Sequence, residues 1–168
     1  MKAHGEWPAI SLVPGSLWFG PGPGTVDTLL GSCVAITVWH PFLLVGGMCH
    51  FLVPSRGRAR AGRDMDARYA DEAFALMCQH MRDAGTAYGE YRFSVYGGAR
   101  QLAGAGSGRR PDVPGINIHA ALFLINSLGA RAERWHVGGF GPRRVTFDLL
   151  TGETQVRHEG AMCPETTR

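Results

Sequence analysis

No apolar stretch in this 168-residue chain is long enough to cross a bilayer; the longest have strand length and are cut by glycine, proline or histidine. Met1 to Pro8 does not lead into the sustained apolar segment that marks a secretory signal, so a cytoplasmic location is the default expectation. Cysteine is sparse. Cys33, Cys49, Cys78 and Cys163 form no Cys-x-x-Cys pair and show no zinc-like spacing, which argues against a metal site and predicts free thiols in a reducing compartment. No Gly-x-Gly-x-x-Gly opens a helix after a strand and no P-loop lysine is present, so nucleotide binding is set aside. The net charge of +3 is modest, and aromatic residues do not interleave with the arginine run Arg56, Arg58, Arg60 and Arg63. That pattern does not make a nucleic-acid groove. It fits a basic loop that meets an acidic protein surface, or one that is simply solvated.

What is present fits one domain, over residues 1–160, with an unstructured polar tail at 161–168. Strands are expected near Ala9 to Val13, Cys33 to Trp39, Leu43 to Val53, Tyr91 to Tyr96, Arg134 to Val137, Arg143 to Leu149 and Thr154 to Arg157. Thr151-Gly152 turns the last two into a hairpin. Tyr69, Ala73, Leu76, Met77, His80 and Met81 recur at helical spacing over Arg68 to Ala84, and Gly85 supplies a stop. A second helix runs from Asn117, read as its N-cap, through Leu128 to Gly129. The Gly/Arg/Pro segment 103–115 before it reads as a loop. Strands outnumber helices and do not alternate strictly with them. The fold class is therefore a layered α/β (α+β) single domain with mixed, largely antiparallel sheets and two main helices.

The chemistry concentrates in Gly31-Ser32-Cys33-Val34-Ala35 and Gly46-Gly47-Met48-Cys49-His50-Phe51. A thiol and an imidazole are the minimum equipment for acyl transfer through a thioester. A hairpin turning between Pro41 and Phe42 sets Cys33 directly opposite His50 on one face of the sheet. A slip of one residue sends one of them to the other face, and a bulge at Gly46-Gly47 would alter the register. Cys49 alternates away from His50 and reads as a buried hydrophobe, as does Cys78 on its helix.

Leu29-Leu30-Gly31-Ser32-Cys33-Val34-Ala35 and Gly46 to Pro54 closely resemble the signature of the CheD family of chemoreceptor glutamine deamidases. The resemblance continues in Arg68-Tyr69-Ala70-Asp71, Tyr96-Gly97-Gly98-Ala99, Asn117-Ile118, Gly138-Gly139 and Thr151-Gly152. It implies a protein-glutamine glutaminase: a hydrolase that converts particular glutamines of methyl-accepting chemotaxis receptors to glutamate. It also implies a fold similar to toxin-type glutamine deamidase catalytic domains, no cofactor, and in many members a CheC-type phosphatase as a second partner. Carried onto this chain, the resemblance makes Cys33 the nucleophile and His50 its base. The family's threonine falls on Thr28, with Thr25 and Asp27 as alternatives for orienting the imidazole. Gly31 is expected to let the chain turn beside the nucleophile and admit the substrate side chain. Ser32 shares that positioning role, and the oxyanion is expected to meet the Cys33 N–H and an adjacent loop amide. Arg56, Arg58, Arg60 and Arg63 are candidate docking residues. The competing reading is a non-catalytic adaptor that binds receptors or a phosphatase; a third keeps the nucleophile but hydrolyses methyl esters or other amides.

Overall fold

The computed structural model describes residues 7–57, 63–101 and 111–159, together with the backbone of 166–167. Ten strands and two helices follow one another as β1 (Ala9–Leu12), β2 (Ser16–Pro21), β3 (Thr25–Leu30), β4 (Val34–His40), β5 (Val45–Phe51), α1 (Ala70–Asp83), β6 (Arg92–Gly97), α2 (Val113–Ser127), β7 (Ala132–Val137), β8 (Arg143–Asp148), β9 (Thr154–His158) and β10 (Thr166–Thr167). They build a six-stranded sheet, β10-β7-β6-β4-β5-β2, and a four-stranded sheet, β1-β3-β8-β9. Among the described strands, β1–β3 and β6–β7 pair in parallel and the other pairs are antiparallel. The expected α+β class with mixed, largely antiparallel sheets is what the chain adopts.

The layers explain the composition of the central strands. One core lies between the large sheet and the helices, with Val34, Ile36, Val38, Cys49 and Phe51 meeting Phe74, Met77, Met81, Ala121 and Ile125. A second lies between the two sheets, where Ala35, Trp39, Met48 and Tyr96 meet Leu12, Val26, Leu30, Val145 and Phe147. β4 is covered on both sides, so all its residues are buried. Both of its faces are apolar, which is why it reads as a continuous run rather than an alternation. β3 faces the large sheet on one side only, and Val26, Thr28 and Leu30 alternate inward.

Several expectations need correction. β3 was not foreseen: Thr25–Leu30 carries a Thr-Val-Asp-Thr alternation that is weakly apolar and sits behind a Gly/Pro-rich segment. Helix α2 begins at Val113, with Asp112 as N-cap accepting from the Gly115 N–H and Pro114 in the first turn, where a missing N–H costs nothing. Asn117 is therefore an interior helical residue. The tail is not wholly without structure, because Thr166 and Thr167 pair with Val137 and His136. Cys163 lies outside the described residues, as do 58–62 and 102–110.

The β4–β5 register also differs from expectation. His40 pairs with Val45, so the turn takes in Pro41 to Leu44. The His40 carbonyl accepts the Leu44 N–H, and its Nδ1 accepts the Leu43 N–H. This closes an i→i+4 turn, with Leu44 at φ 51°, in place of a two-residue one. Ala35, not Cys33, is consequently the direct partner of His50. The displacement is two residues, so the face is kept.

Gly46 and Gly47 host no bulge; they pair in register with Trp39 and Val38. A Cβ at Gly47 would run into the Trp18 carbonyl oxygen and lie 2.8 Å from the Phe19 Cα. Gly47→Ala is expected to cost about 1–3 kcal/mol through overpacking. In urea melts it should lower the midpoint without changing the slope. An unchanged midpoint would mean that this close strand approach is not made.

Candidate functional site

β3 belongs to the small sheet and β4 to the large one, so Gly31-Ser32-Cys33 is the crossover between layers. Thr28 stands on β3 before that crossover, Cys33 is its last residue, and His50 lies on β5, beside β4. Thr28 projects from the small sheet and is 1% exposed; His50 projects from the large sheet and is also 1% exposed. They meet between the sheets, with Thr28 Oγ1 2.8 Å from His50 Nδ1. Cys33 packs against the same inter-sheet cluster and is half-buried.

The hydroxyl fixes the tautomer. Thr28 Oγ1 donates its only hydrogen to the Leu12 carbonyl at 2.9 Å, so it can only accept from the imidazole. Nδ1 then carries the proton and Nε2 keeps its lone pair. Nε2 is buried and has no protein partner. Burial pushes the His50 pKa down to about 4, so the ring is neutral near pH 7. Burial also raises the Cys33 pKa, opposed by hydrogen bonds from the Ser32 hydroxyl and the Cys33 N–H that favour the thiolate. Both groups therefore rest neutral, the Cys33 side chain as a thiol and the His50 ring as an uncharged imidazole.

Of the three candidates to orient His50, the structure brings only Thr28 to it. Asp27 faces outward, accepting from Ser11 Oγ at 2.6 Å and pairing with Arg144 at 3.0 Å. Thr25 alternates to that same outward face of β3. Gly31 does not have the positive φ of a tight glycine turn. It is exposed, and a Cβ there would meet nothing within 4 Å, so open space lies beside the segment that carries Cys33.

The arginines separate. Arg56 donates through Nε to Glu72 Oε1 at 2.7 Å, and Glu72 is fully buried at the start of α1. Asp66 N–H donates to the same carboxylate at 2.7 Å, so Arg56 ties down its own loop. Arg63 is exposed. Arg58 and Arg60 lie outside the described residues.

Two groups escaped the sequence reading. Gly98 N–H donates to the Cys33 carbonyl and Ala99 N–H to the Gly31 carbonyl, each at 2.8 Å. These loop amides are thereby committed to the crossover and are not free to meet an oxyanion. A Cβ at Gly97 would strike the Cys33 carbonyl oxygen, which is why glycine stands there. Behind this loop, buried Arg143 donates to the His136 carbonyl at 3.0 Å and to the Gly138 carbonyl, and Gly138 N–H donates to the Gly97 carbonyl. The second group is Asn117, fully buried, whose Nδ2 donates to the Leu52 carbonyl at 2.8 Å and the Ser32 carbonyl at 3.3 Å. Its signal was available: an amide on the same stripe as Ala121 and Ile125 is out of place on an apolar helix face.

Comparison with known proteins gives the family. The family model described as CheD chemotactic sensory transduction matches residues 52–158. The chain belongs to the CheD family. A Pseudomonas fluorescens protein named probable chemoreceptor glutamine deamidase CheD is 42% identical over 152 residues, covering 89% of this chain and 84% of the relative. A Dechloromonas aromatica protein of the same name, numbered 3, is 39% identical over 153 residues, covering 90% and 88%. One from Chromobacterium violaceum, numbered 1, is 38% identical over 149 residues, covering 89% and 77%. The CheD family model begins after Thr28, Cys33 and His50, whereas the pairwise matches span most of the chain.

The depressed His50 pKa makes stability depend on pH. Unfolded His50 takes up a proton near pH 6.5, but the folded ring does so only near pH 4. Between those values the unfolded state binds more protons, so stability falls as pH drops through the window. The effect is about 3 kcal/mol at full development, taking 1.36 kcal/mol per pKa unit. Urea melts from pH 7 to 4 should show that decline in the wild type and a flatter profile in His50→Gln. Parallel profiles would place His50 in a solvated environment instead.

Proposed function

We propose that this protein hydrolyses glutamine side chains of methyl-accepting chemoreceptors to glutamate, with Cys33 as nucleophile, His50 as general base and acid, and Thr28 orienting the imidazole. The carrying observation is the Thr28–His50 hydrogen bond, which leaves Nε2 as a bare acceptor in the layer where Cys33 sits. The names of the relatives supply the substrate class. Cys33 precedes by two residues Ala35, the partner of His50, and diagonal neighbours across a strand pair are about 7–8 Å apart, within the combined reach of an inward-turned thiol and imidazole.

The thiol proton passes to His50 Nε2 as sulfur attacks the amide carbon. His50 then returns that proton to the departing nitrogen, and ammonia leaves as the C–N bond breaks. Water enters against the thioester, giving its proton to Nε2; the C–S bond breaks and the proton returns to sulfur. Because both groups rest neutral, proton transfer accompanies attack instead of preceding it. The Cys33 N–H and the Ser32 hydroxyl are the donors nearest the sulfur, and the open space over Gly31 is the route for the incoming side chain. No step requires a metal or organic cofactor.

Among the described residues no helix is long and apolar enough to cross a membrane, and the proposed site of action is the cytoplasmic part of the receptor. The same proposal takes in a CheC-type phosphatase as a second partner. Exposed Arg63 is the described arginine of the basic segment open to docking, since Arg56 is held by Glu72.

Incubation with a chemoreceptor cytoplasmic fragment should raise the mass of selected glutamine-containing peptides by the difference between amide and acid. Cys33→Ala should abolish the change without unfolding the protein. Thr28→Val should lower kcat by about 100-fold through misorientation of the ring. Full activity in Cys33→Ala would remove the mechanism; receptor binding with no mass change in the wild type would favour the adaptor reading.

A further inference from the structure

We infer that Asn117 is a positioning residue for the nucleophile, stapling the Cys33 segment to the end of the His50 strand. This rests on the glutaminase reading for its kinetic test, but the geometry stands by itself. The last backbone pair between β4 and β5 is Val34 with Phe51. Ser32 and Leu52 lie just beyond it, one on each chain segment, where the ladder has ended. The two hydrogens of the Asn117 amide nitrogen go to the carbonyls of those two residues. One side chain from α2 thus continues the ladder past its end and sets how far the crossover stands from β5.

The amide has only one workable orientation, because its oxygen cannot face two carbonyls. The chosen orientation leaves Oδ1 buried and without a partner. An unsatisfied buried acceptor destabilises the fold; an apolar residue on the Asn117–Ala121–Ile125 stripe would remove it but would take the donors from both carbonyls. The same amide supplies the donors for the Leu52 and Ser32 carbonyls, so the orphaned Oδ1 is offset by two satisfied backbone acceptors at the crossover. Its contribution lies in where it holds Ser32: the next residue is Cys33, and the Cys33 and Gly31 carbonyls are fixed from the opposite side by Gly98 and Ala99. The nucleophile is gripped between the 97–99 loop and α2. Neither grip touches the sulfur.

The test uses Asn117→Leu, which removes both donors while keeping the stripe apolar, and Asn117→Ala as the smaller companion. On a receptor fragment, kcat should fall by about 100-fold with KM little changed, as expected for a displaced reacting group. Iodoacetamide labelling followed peptide by peptide should show Cys33 alkylated several times faster, since the released segment is better solvated. Buried Cys49 and Cys78, whose pKa values burial also raises, serve as internal controls and should stay protected. Wild-type kcat and wild-type Cys33 labelling in the folded Leu variant would overturn the inference. So would parallel labelling of Cys33, Cys49 and Cys78, which would assign Asn117 to general stability. If the wild type leaves receptor glutamines untouched, the glutaminase reading fails, while the labelling pattern still decides whether Asn117 holds Cys33.

Discussion

One hydrogen bond between two sheets, from His50 Nδ1 to Thr28 Oγ1, sets the state of everything around it. It works because of a third group, the Leu12 carbonyl, which takes the only hydroxyl hydrogen and leaves threonine as an acceptor. Leu12 and Thr28 are Cα partners in the parallel β1–β3 pair, so this chain of donors is built into the small sheet's register. A neutral hydroxyl in this role differs physically from a carboxylate. It orients the ring without a negative charge that would favour imidazolium, and burial then holds the ring neutral. A base that is neutral at rest can accept a proton during attack; one already protonated cannot.

The layered fold supplies the conditions for the proposed chemistry. β4 is sealed on one side by α1 and α2 and on the other by the small sheet, so its end is a rigid platform from which the crossover projects. The segment carrying Cys33 must leave the small sheet and enter the large one within Gly31 to Cys33. It is exposed to solvent at Gly31 and packs into the inter-sheet layer at Cys33. Backbone hydrogen bonds from Gly98 and Ala99, supported through Gly138 by buried Arg143, fix it from one direction, and the Asn117 amide fixes it from the other. Of the buried polar groups, Thr28, His50, Asn117 and Arg143 serve this region, whereas His40 closes the β4–β5 turn and Glu72 holds the Arg56 loop.

Much of this was legible in the sequence, for physical reasons that differ by element. The β4 and β5 runs, the α1 periodicity and the Gly152 hairpin rest on local pattern, and they formed where expected. β3 was hidden because only one of its faces is buried and Thr28 stands on that face in place of an aliphatic residue. The register of β4 against β5 depended on a turn in which His40 captures two amides, a contact that spacing does not reveal. The error was two residues, which preserves the face, so the inference that thiol and imidazole share a layer survived while their direct pairing did not. Asn117 was misplaced because asparagine before an apolar run resembles a cap; Asp112, closer to Pro114, was the stronger one. The choice among Thr25, Asp27 and Thr28 required knowing which face of β3 turns inward.

The state of the imidazole is the claim most open to direct measurement. Nitrogen-15 NMR of labelled protein at neutral pH should show the His50 ring neutral, with its hydrogen on Nδ1 and an unprotonated Nε2, and Thr28→Val should disturb that assignment. A ring carrying its hydrogen on Nε2, or one protonated on both nitrogens at pH 7, would contradict the account.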